Sequence, residues 1–337
     1  MEENMSKPRT QHSKISLILK GAAMGIAEVI PGVSGGTIAF ITGIYEDLID
    51  TISGVDQNTV WDILKLRFSN VWVSLNGPFL LYLIIGMVGG ILAGVFGVTK
   101  LLENYPEALW ALFFGLIIAS IPLMFSQMQN RKWGHAIPFI IGAAIAYLIT
   151  SISPAAGSTN MVYIFLAGVI AISAFVLPGI SGSFILLLMG LYTVVIPTIK
   201  AFLESPELSE LLLISVFALG CLTGLAFFSR IVSAAFKNYH DITITVMSGF
   251  MFGSLNKIWP WRNPIAILNK DTSVISPIDS NNISTFSITD KNIKIVKEIN
   301  VLPSDYFSDP CTVYVIAAFV VGILLVGGLY FMQKSRI

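Results

Sequence analysis

Two short runs hold most of the chemistry this sequence can do, Pro31-Gly-Val-Ser-Gly-Gly36 and Pro178-Gly-Ile-Ser-Gly-Ser183. In each, a proline disfavours helix at the residue before it and glycines permit a sharp reversal, so one helix stops and another starts. The new helix presents free backbone N–H groups carrying about half a positive charge, and the glycines let an anion come close. With the hydroxyls of Ser34, Thr37, Ser181 and Ser183, and with Gly35, Gly36 and Gly182 at the helix starts, the pattern suits a phosphate or a carboxylate. The plainer reading is close packing through small residues, but packing does not ask for Pro, Gly and Ser in one order twice. Glu28 precedes the first run by three residues, and Phe175 stands in its place before the second. An acid at bilayer depth costs on the order of 3 kcal/mol. Glu28 therefore reads as a protonatable coupling group, against an acid merely solvated at a hairpin tip. Arg230, inside an apolar helix, can meet an anionic head group or snorkel to the membrane edge. Lys257, beside Trp259-Pro260-Trp261, can attract head groups, while the tryptophans can simply mark the interface.

Gly32-Val-Ser-Gly-Gly36 also matches G-x-S-x-G, and both runs contain the G-x-S-G of rhomboid intramembrane proteases. A serine nucleophile needs a base, and the histidines are poor candidates: His12 is in the N-terminal tail, His135 follows Arg131-Lys132 and His240 sits in a polar turn. A duplicated serine suits a symmetric binding site better than a catalytic one. No catalytic residue is assigned, and an intramembrane serine hydrolase stays as the alternative, together with a small-anion transporter. Cys221 and Cys311 have no CxxC or His-spaced partner, so neither a metal nor a cofactor is expected. The formal net charge of +0 gives no basic field for nucleic acid.

The elements that position these groups need lipid as their solvent. Hydrophobic residues make up 55% of the chain and charged residues 12%, where soluble domains carry roughly 25% charged. The chain also repeats itself. Ile30 to Gly36 returns as Leu177 to Ser183, and Gly43-Ile-Tyr45 as Gly190-Leu-Tyr192, both 147 residues on. Gly86, Gly90, Asn104, Tyr105 and Gly115 return as Gly220, Gly224, Asn238, Tyr239 and Gly249, 134 residues on. Each copy reads as two short apolar arms around a break, then two long helices. As a helix, residues 15–30 would reach about 24 Å at ~1.5 Å per residue, short of a ~30 Å hydrocarbon core, so each broken segment is expected to be a re-entrant hairpin.

The expected fold is an all-α polytopic membrane protein with two inverted-topology repeats and an added C-terminal transmembrane helix. Residues 1–14 form a cytoplasmic tail. Repeat 1 covers 15–130, with a hairpin at 15–50, a cytoplasmic amphipathic segment at 51–78 and helices within 79–129. A connecting helix and outer turn fill 131–161. Repeat 2 covers 162–262, with a hairpin at 162–199 and helices at 211–236 and 240–258. An extracytoplasmic polar loop (263–310) and a last helix (311–337) follow. If both hairpins return to the side they entered, Lys14, Lys20, Lys65, Arg67, Arg131, Lys237 and Arg336 all face the cytoplasm, as the positive-inside rule asks. Both termini are then cytoplasmic. Three crossings separate the hairpins and invert the second copy, an arrangement many secondary transporters use.

Gly25-x-Ala27-Glu28-x-Ile30-Pro-Gly-Val-Ser-Gly-Gly-Thr37, Gly43-Ile-Tyr45, Leu177-Pro-Gly-Ile-Ser-Gly-Ser183 and Gly253-Ser254-Leu-x-Lys257-x-Trp259-Pro-Trp261 carry a family likeness. Over about residues 15–262 and the last helix, the chain resembles the bacterial PopT-type polyprenyl-phosphate transporters, formerly a membrane family of unknown function. That resemblance implies an inner-membrane translocase moving undecaprenyl phosphate, the lipid carrier of cell-wall synthesis, from the outer to the inner leaflet. It implies the polyprenyl-phosphate lipid and the bilayer as partners and admits a homo-oligomer, while the lone acid Glu28 points to proton or ion coupling. The family often has Asp at the place of Glu28. In this reading Ser34, Gly35, Gly36, Thr37, Ser181, Gly182 and Ser183 bind the phosphate, Arg230 offsets its charge, Lys257 attracts the head group and Glu28 couples release to protonation.

Overall fold

Helix α1 (Lys14–Glu28) begins where the Ser13 hydroxyl accepts the Ser16 N–H, and it ends three residues before Pro31. The computed structural model describes residues 12–30, 33–55, 59, 61–62, 65–130, 133–152, 158–269, 274–277 and 293–334. Pro31 and Gly32, most of the N-terminal tail, much of the outer turn and part of the polar loop lie outside them. After the first break come α2 (Gly35–Ile41) and α3 (Tyr45–Ser53), and after the second come α9 (Gly182–Leu188) and α10 (Tyr192–Glu204), with α8 (Met161–Val176) in the place of α1. The expected single second arms, 36–50 and 183–199, are thus two helices each. The cause is Gly43 at φ 71° and Gly190 at φ 68°, a left-handed turn that side chains resist.

Between the two broken segments run α4 (Phe68–Ser74), α5 (Gly77–Asn104), α6 (Pro106–Ser126) and α7 (Ala136–Ser151); α11 (Leu208–Ser254) and α12 (Thr312–Lys334) complete the described helices. Among the described residues, four helical runs are long and apolar enough to cross a bilayer: Gly77–Leu102, Pro106–Ser126, Trp133–Ser151 and Leu208–Ile258. The chain is a mostly helical, multi-pass membrane protein. Its expected helices 211–236 and 240–258 are the two halves of α11, which meet at a non-helical kink at Tyr239 (φ −140°, ψ 47°). Tyr105, between α5 and α6, has nearly the same angles (φ −143°, ψ 55°). The recurring Asn-Tyr pair therefore marks the same bend in both copies.

Lipid offers helices little hydrophobic reason to associate, so close backbone approach at small residues must hold them. Any side chain at Gly86 or Gly90 of α5 would strike the carbonyl of Ile18 or Ala22 in α1, and any at Gly220 or Gly224 of α11 that of Phe165 or Val169 in α8. These are corresponding residues at the two offsets. The helices expected outside the repeat are matched as well. Gly115 of α6 abuts the Phe319 carbonyl in α12 and Gly322 that of Leu112, while Gly249 of α11 abuts Phe139 in α7 and Gly142 abuts Val246.

The all-helical expectation needs one correction. Strands β1 (Arg262–Asn269), β2 (Val274–Pro277) and β3 (Ile293–Asn300) form an antiparallel sheet in the order β2-β1-β3 within the segment expected to be a loop. Register shifts between Pro264 and Ile267 break the alternation in β1 that would have betrayed it. The Trp-Pro-Trp motif ties the sheet to the helices: Trp259 Nε1 donates to the Val301 carbonyl and Trp261 Nε1 to that of Pro310, both at 2.9 Å.

Candidate functional site

The two breaks meet. The Gly179 N–H donates to Thr37 Oγ1 at 2.8 Å, and the Ser34 hydroxyl reaches the Phe175 carbonyl at 3.4 Å. Tyr45, the first residue of α3, donates its hydroxyl to the Val176 carbonyl at 2.9 Å. Three residues of the first copy thus hold three backbone groups of the second. The seam is deeply buried: Thr37 is 0% exposed, Ser34 1% and Tyr45 2%.

Within each break the polar groups are also engaged. Ser34 Oγ accepts the Gly36 N–H at 3.1 Å as an N-cap of α2, and the Gly35 N–H donates to Glu28 Oε1. Ser181 and Ser183 share a hydroxyl hydrogen bond of 2.8 Å, with Ser181 buried and Ser183 exposed. The glycines are filled by neighbours. A side chain at Gly35 would meet Glu28 Oε1 and the Met24 carbonyl, one at Gly36 the carbonyls of Phe175 and Val176, and one at Gly182 the Ala171 carbonyl and the Phe175 side chain. Gly35 and Gly182 hold corresponding positions, so Phe175 stands over the second break as Glu28 stands over the first.

The structure therefore brings Glu28, Ser34, Gly35, Gly36 and Thr37 together and sets Ser34, Gly36 and Thr37 against Phe175, Val176 and Gly179, while Ser181, Gly182 and Ser183 gather in the second break, where Gly182 packs on Phe175. Lys257 touches the residue after Ser183: its Nζ lies 5.1 Å from the ring centroid of Phe184. Arg230 does not join the breaks. It is exposed, and its guanidinium donates to the Val55 carbonyl, just past α3. Nearby, Asp50 of α3 accepts from the Ser233 hydroxyl at 2.6 Å and pairs with Lys237 at 3.5 Å.

No described serine of the breaks has a histidine beside it. His12 pairs with Asp47 at 2.8 Å, and His240 with Glu46 and Asp241, each at 3.3 Å. Ser34 and Ser181 bond instead to Gly36, Phe175 and Ser183, none of which can act as a base for a nucleophile.

Sequence reasoning gave no chemical role to Tyr45, although it recurs as Tyr192. Its cross-copy bond depends on burial, since Tyr192 is 42% exposed. Arg262 and Glu298 were also missed; their ion pair of 3.1 Å joins β1 to β3 across the unexpected sheet.

Residues 24–275 match the undecaprenyl phosphate translocase-like family. Over 278 residues the chain is 39% identical to the polyprenyl-phosphate transporter of Vibrio cholerae, covering 81% of this chain and 86% of that protein. Over 258 residues it is 35% identical to the polyprenyl-phosphate transporter of Staphylococcus aureus, covering 72% and 85%. No solved structure matches the chain. The matched segment contains both breaks and stops inside β2, so β3 lies beyond it.

Proposed function

Because the chain belongs to the undecaprenyl phosphate translocase-like family, we propose that it carries undecaprenyl phosphate across the cytoplasmic membrane, from the outer to the inner leaflet, through the seam between its two breaks. The observation that carries this reading is the Gly179 N–H to Thr37 hydrogen bond, which unites the two Pro-Gly-x-Ser-Gly runs in one buried place. Passage of such a lipid is opposed chiefly by its head-group charge, because the isoprenoid tail can stay in hydrocarbon throughout. The seam offers hydroxyls and backbone N–H groups that already have partners. When the breaks part, Ser34, Thr37, Ser181, Ser183 and the N–H groups of Gly35 and Gly36 exchange those internal bonds for phosphate oxygens, and the Gly182 N–H at the start of α9 adds a further donor.

The two copies are inverted, each broken segment is a re-entrant hairpin, and both termini face the cytoplasm; the lysine and arginine distribution supports this orientation, and the matched glycine contacts support the repeat itself. Glu28 is the coupling acid. Its carboxylate accepts the Gly35 N–H, and protonation weakens that bond and frees the donor for the phosphate. Lys257 draws the head group toward α9. Arg230, beside Val55, offsets head-group charge at the cytoplasmic end of the path. Two repeats lie on either side of residues 131–161, with α7 of that connecting stretch packed on α11 and the added α12 packed on α6. The chain works without catalysis or a cofactor, as a monomer or a homo-oligomer.

Proteoliposomes of the purified protein test the reading. Fluorescent polyprenyl phosphate should exchange leaflets while an equally labelled phosphatidylglycerol should not. Equal exchange of both lipids would mean a nonselective scramblase.

A further inference from the structure

On the side of the molecule that carries the sheet, two cations share one carboxylate. Arg262, the first residue of β1, reaches Glu298 Oε2 of β3 at 3.1 Å, and Lys257 Nζ reaches the same oxygen at 4.0 Å. The Arg262 side chain is 12% exposed and its guanidinium lies 4.5 Å from the Trp110 ring centroid. Its NH1 also donates to the Lys257 carbonyl at 3.1 Å, yet its Nε is buried with no hydrogen-bond partner among the described residues. Glu107, the other acid of this neighbourhood, accepts the Tyr306 hydroxyl at 2.7 Å; burial and that carboxylate push the Tyr306 hydroxyl above its usual range, so it stays a donor.

A guanidinium serving only to tie the sheet down would turn its donors to protein acceptors, because an unmatched buried donor is costly. Here one fork nitrogen is bonded and Nε is open. Two cations share one carboxylate, and Lys257 also lies against Phe184, beside Ser183. The missing partner is an anion with several acceptor oxygens and more than one charge. A phosphate monoester meets that description, since it can take a guanidinium in bidentate fashion and an ammonium besides.

We propose that Lys257 and Arg262 form a docking site for the phosphate monoester head group of a polyprenyl lipid, next to the second break, and that Glu298 occupies this site as a displaceable counter-ion when lipid is absent. The proposal rests on the transporter reading above and adds a first station to its path. It also gives a task to β3, which lies beyond the family match: its carboxylate sets how strongly the head group must compete to enter.

The test is binding to the full-length protein in nanodiscs, with farnesyl phosphate, inorganic phosphate and farnesol as probes. Arg262→Gln and Lys257→Gln should each weaken farnesyl phosphate about tenfold, the scale of one charge-assisted hydrogen bond. Glu298→Gln should tighten it by about as much, and farnesol should not respond. A merely structural clasp predicts the opposite for Glu298, with weaker binding and a lower melting temperature, and that result overturns the proposal. Inorganic phosphate responding alone, without farnesyl phosphate, would overturn the lipid assignment. If Arg262→Gln fails to fold, Lys257→Gln and Glu298→Gln decide by their opposite signs. Unchanged affinities in folded variants of a protein that still exchanges lipid would sink the docking site and leave the transporter reading intact. A wild-type protein that neither binds nor exchanges polyprenyl phosphate would remove both.

Discussion

Replacing Thr37 with Val keeps the shape of the side chain and removes the only hydroxyl that receives the Gly179 N–H. Thr37 is 0% exposed, so water has no easy route to the abandoned donor. A buried N–H left unpaired costs about 1–3 kcal/mol, which is roughly a 5- to 150-fold change in an equilibrium constant at ~1.4 kcal/mol per decade. Thr37→Ser retains the hydroxyl and loses one methyl group, at about 0.8 kcal/mol. Stability should therefore fall in the order wild type, Ser, Val, read by equilibrium unfolding in mixed detergent micelles. Leaflet exchange of fluorescent polyprenyl phosphate should follow the same order, because the valine variant also lacks a hydroxyl for the phosphate. Wild-type stability in Thr37→Val, or a serine variant worse than the valine one, would refute the reasoning that this bond joins the breaks.

Ser34→Ala removes an N-cap worth about 1 kcal/mol but leaves the backbone donors, so exchange should slow without stopping, and no hydrolysis product should form from peptide or phospholipid; clean loss of a hydrolytic activity would restore the hydrolase reading. Glu28→Gln should keep head-group binding while flattening the pH dependence of exchange, and an unaltered pH profile would reduce Glu28 to a structural acceptor for Gly35. In a background lacking Cys221 and Cys311, cysteines at Ser158 and Ser205 should label from outside intact cells and one at Gln129 should not; labelling of Ser205 only from the cytoplasm would undo the inverted second copy.

Much of the fold was legible because glycine, proline and tyrosine recur where the backbone must bend. Gly43 and Gly190 carry the same left-handed turn, and Tyr105 and Tyr239 the same kink. These are local demands, and local demands leave local residues. The kinship of α7 and α12 was missed because it rests on Phe139-x-x-Gly142 against Phe319-x-x-Gly322, a spacing stretched by the sheet inserted before α12. The sheet itself was hidden by its irregular register at Pro264 and Ala266.

For the site, residue types were readable and partnerships were not. Thr37 and Gly179 are 142 residues apart, and no periodicity links them. Gly182 was expected to admit phosphate, but its neighbours Ala171 and Phe175 account for the missing side chain by packing alone. Arg230 was grouped with the breaks on charge, whereas its hydrogen bond is to Val55. A charge in an apolar helix advertises a partner without saying which one.

The central claim is that the phosphate passes between the two breaks. A polyprenyl phosphate carrying a photoreactive group beside its phosphate, cross-linked to the reconstituted protein and mapped by mass spectrometry, tests it most directly. The account predicts adducts on peptides from both copies, containing Ser34 to Tyr45 and Val176 to Phe184, which Thr37→Val diminishes. Adducts confined to the exposed apolar residues of α5, such as Leu92 and Phe96, with both break peptides unlabelled, would contradict it.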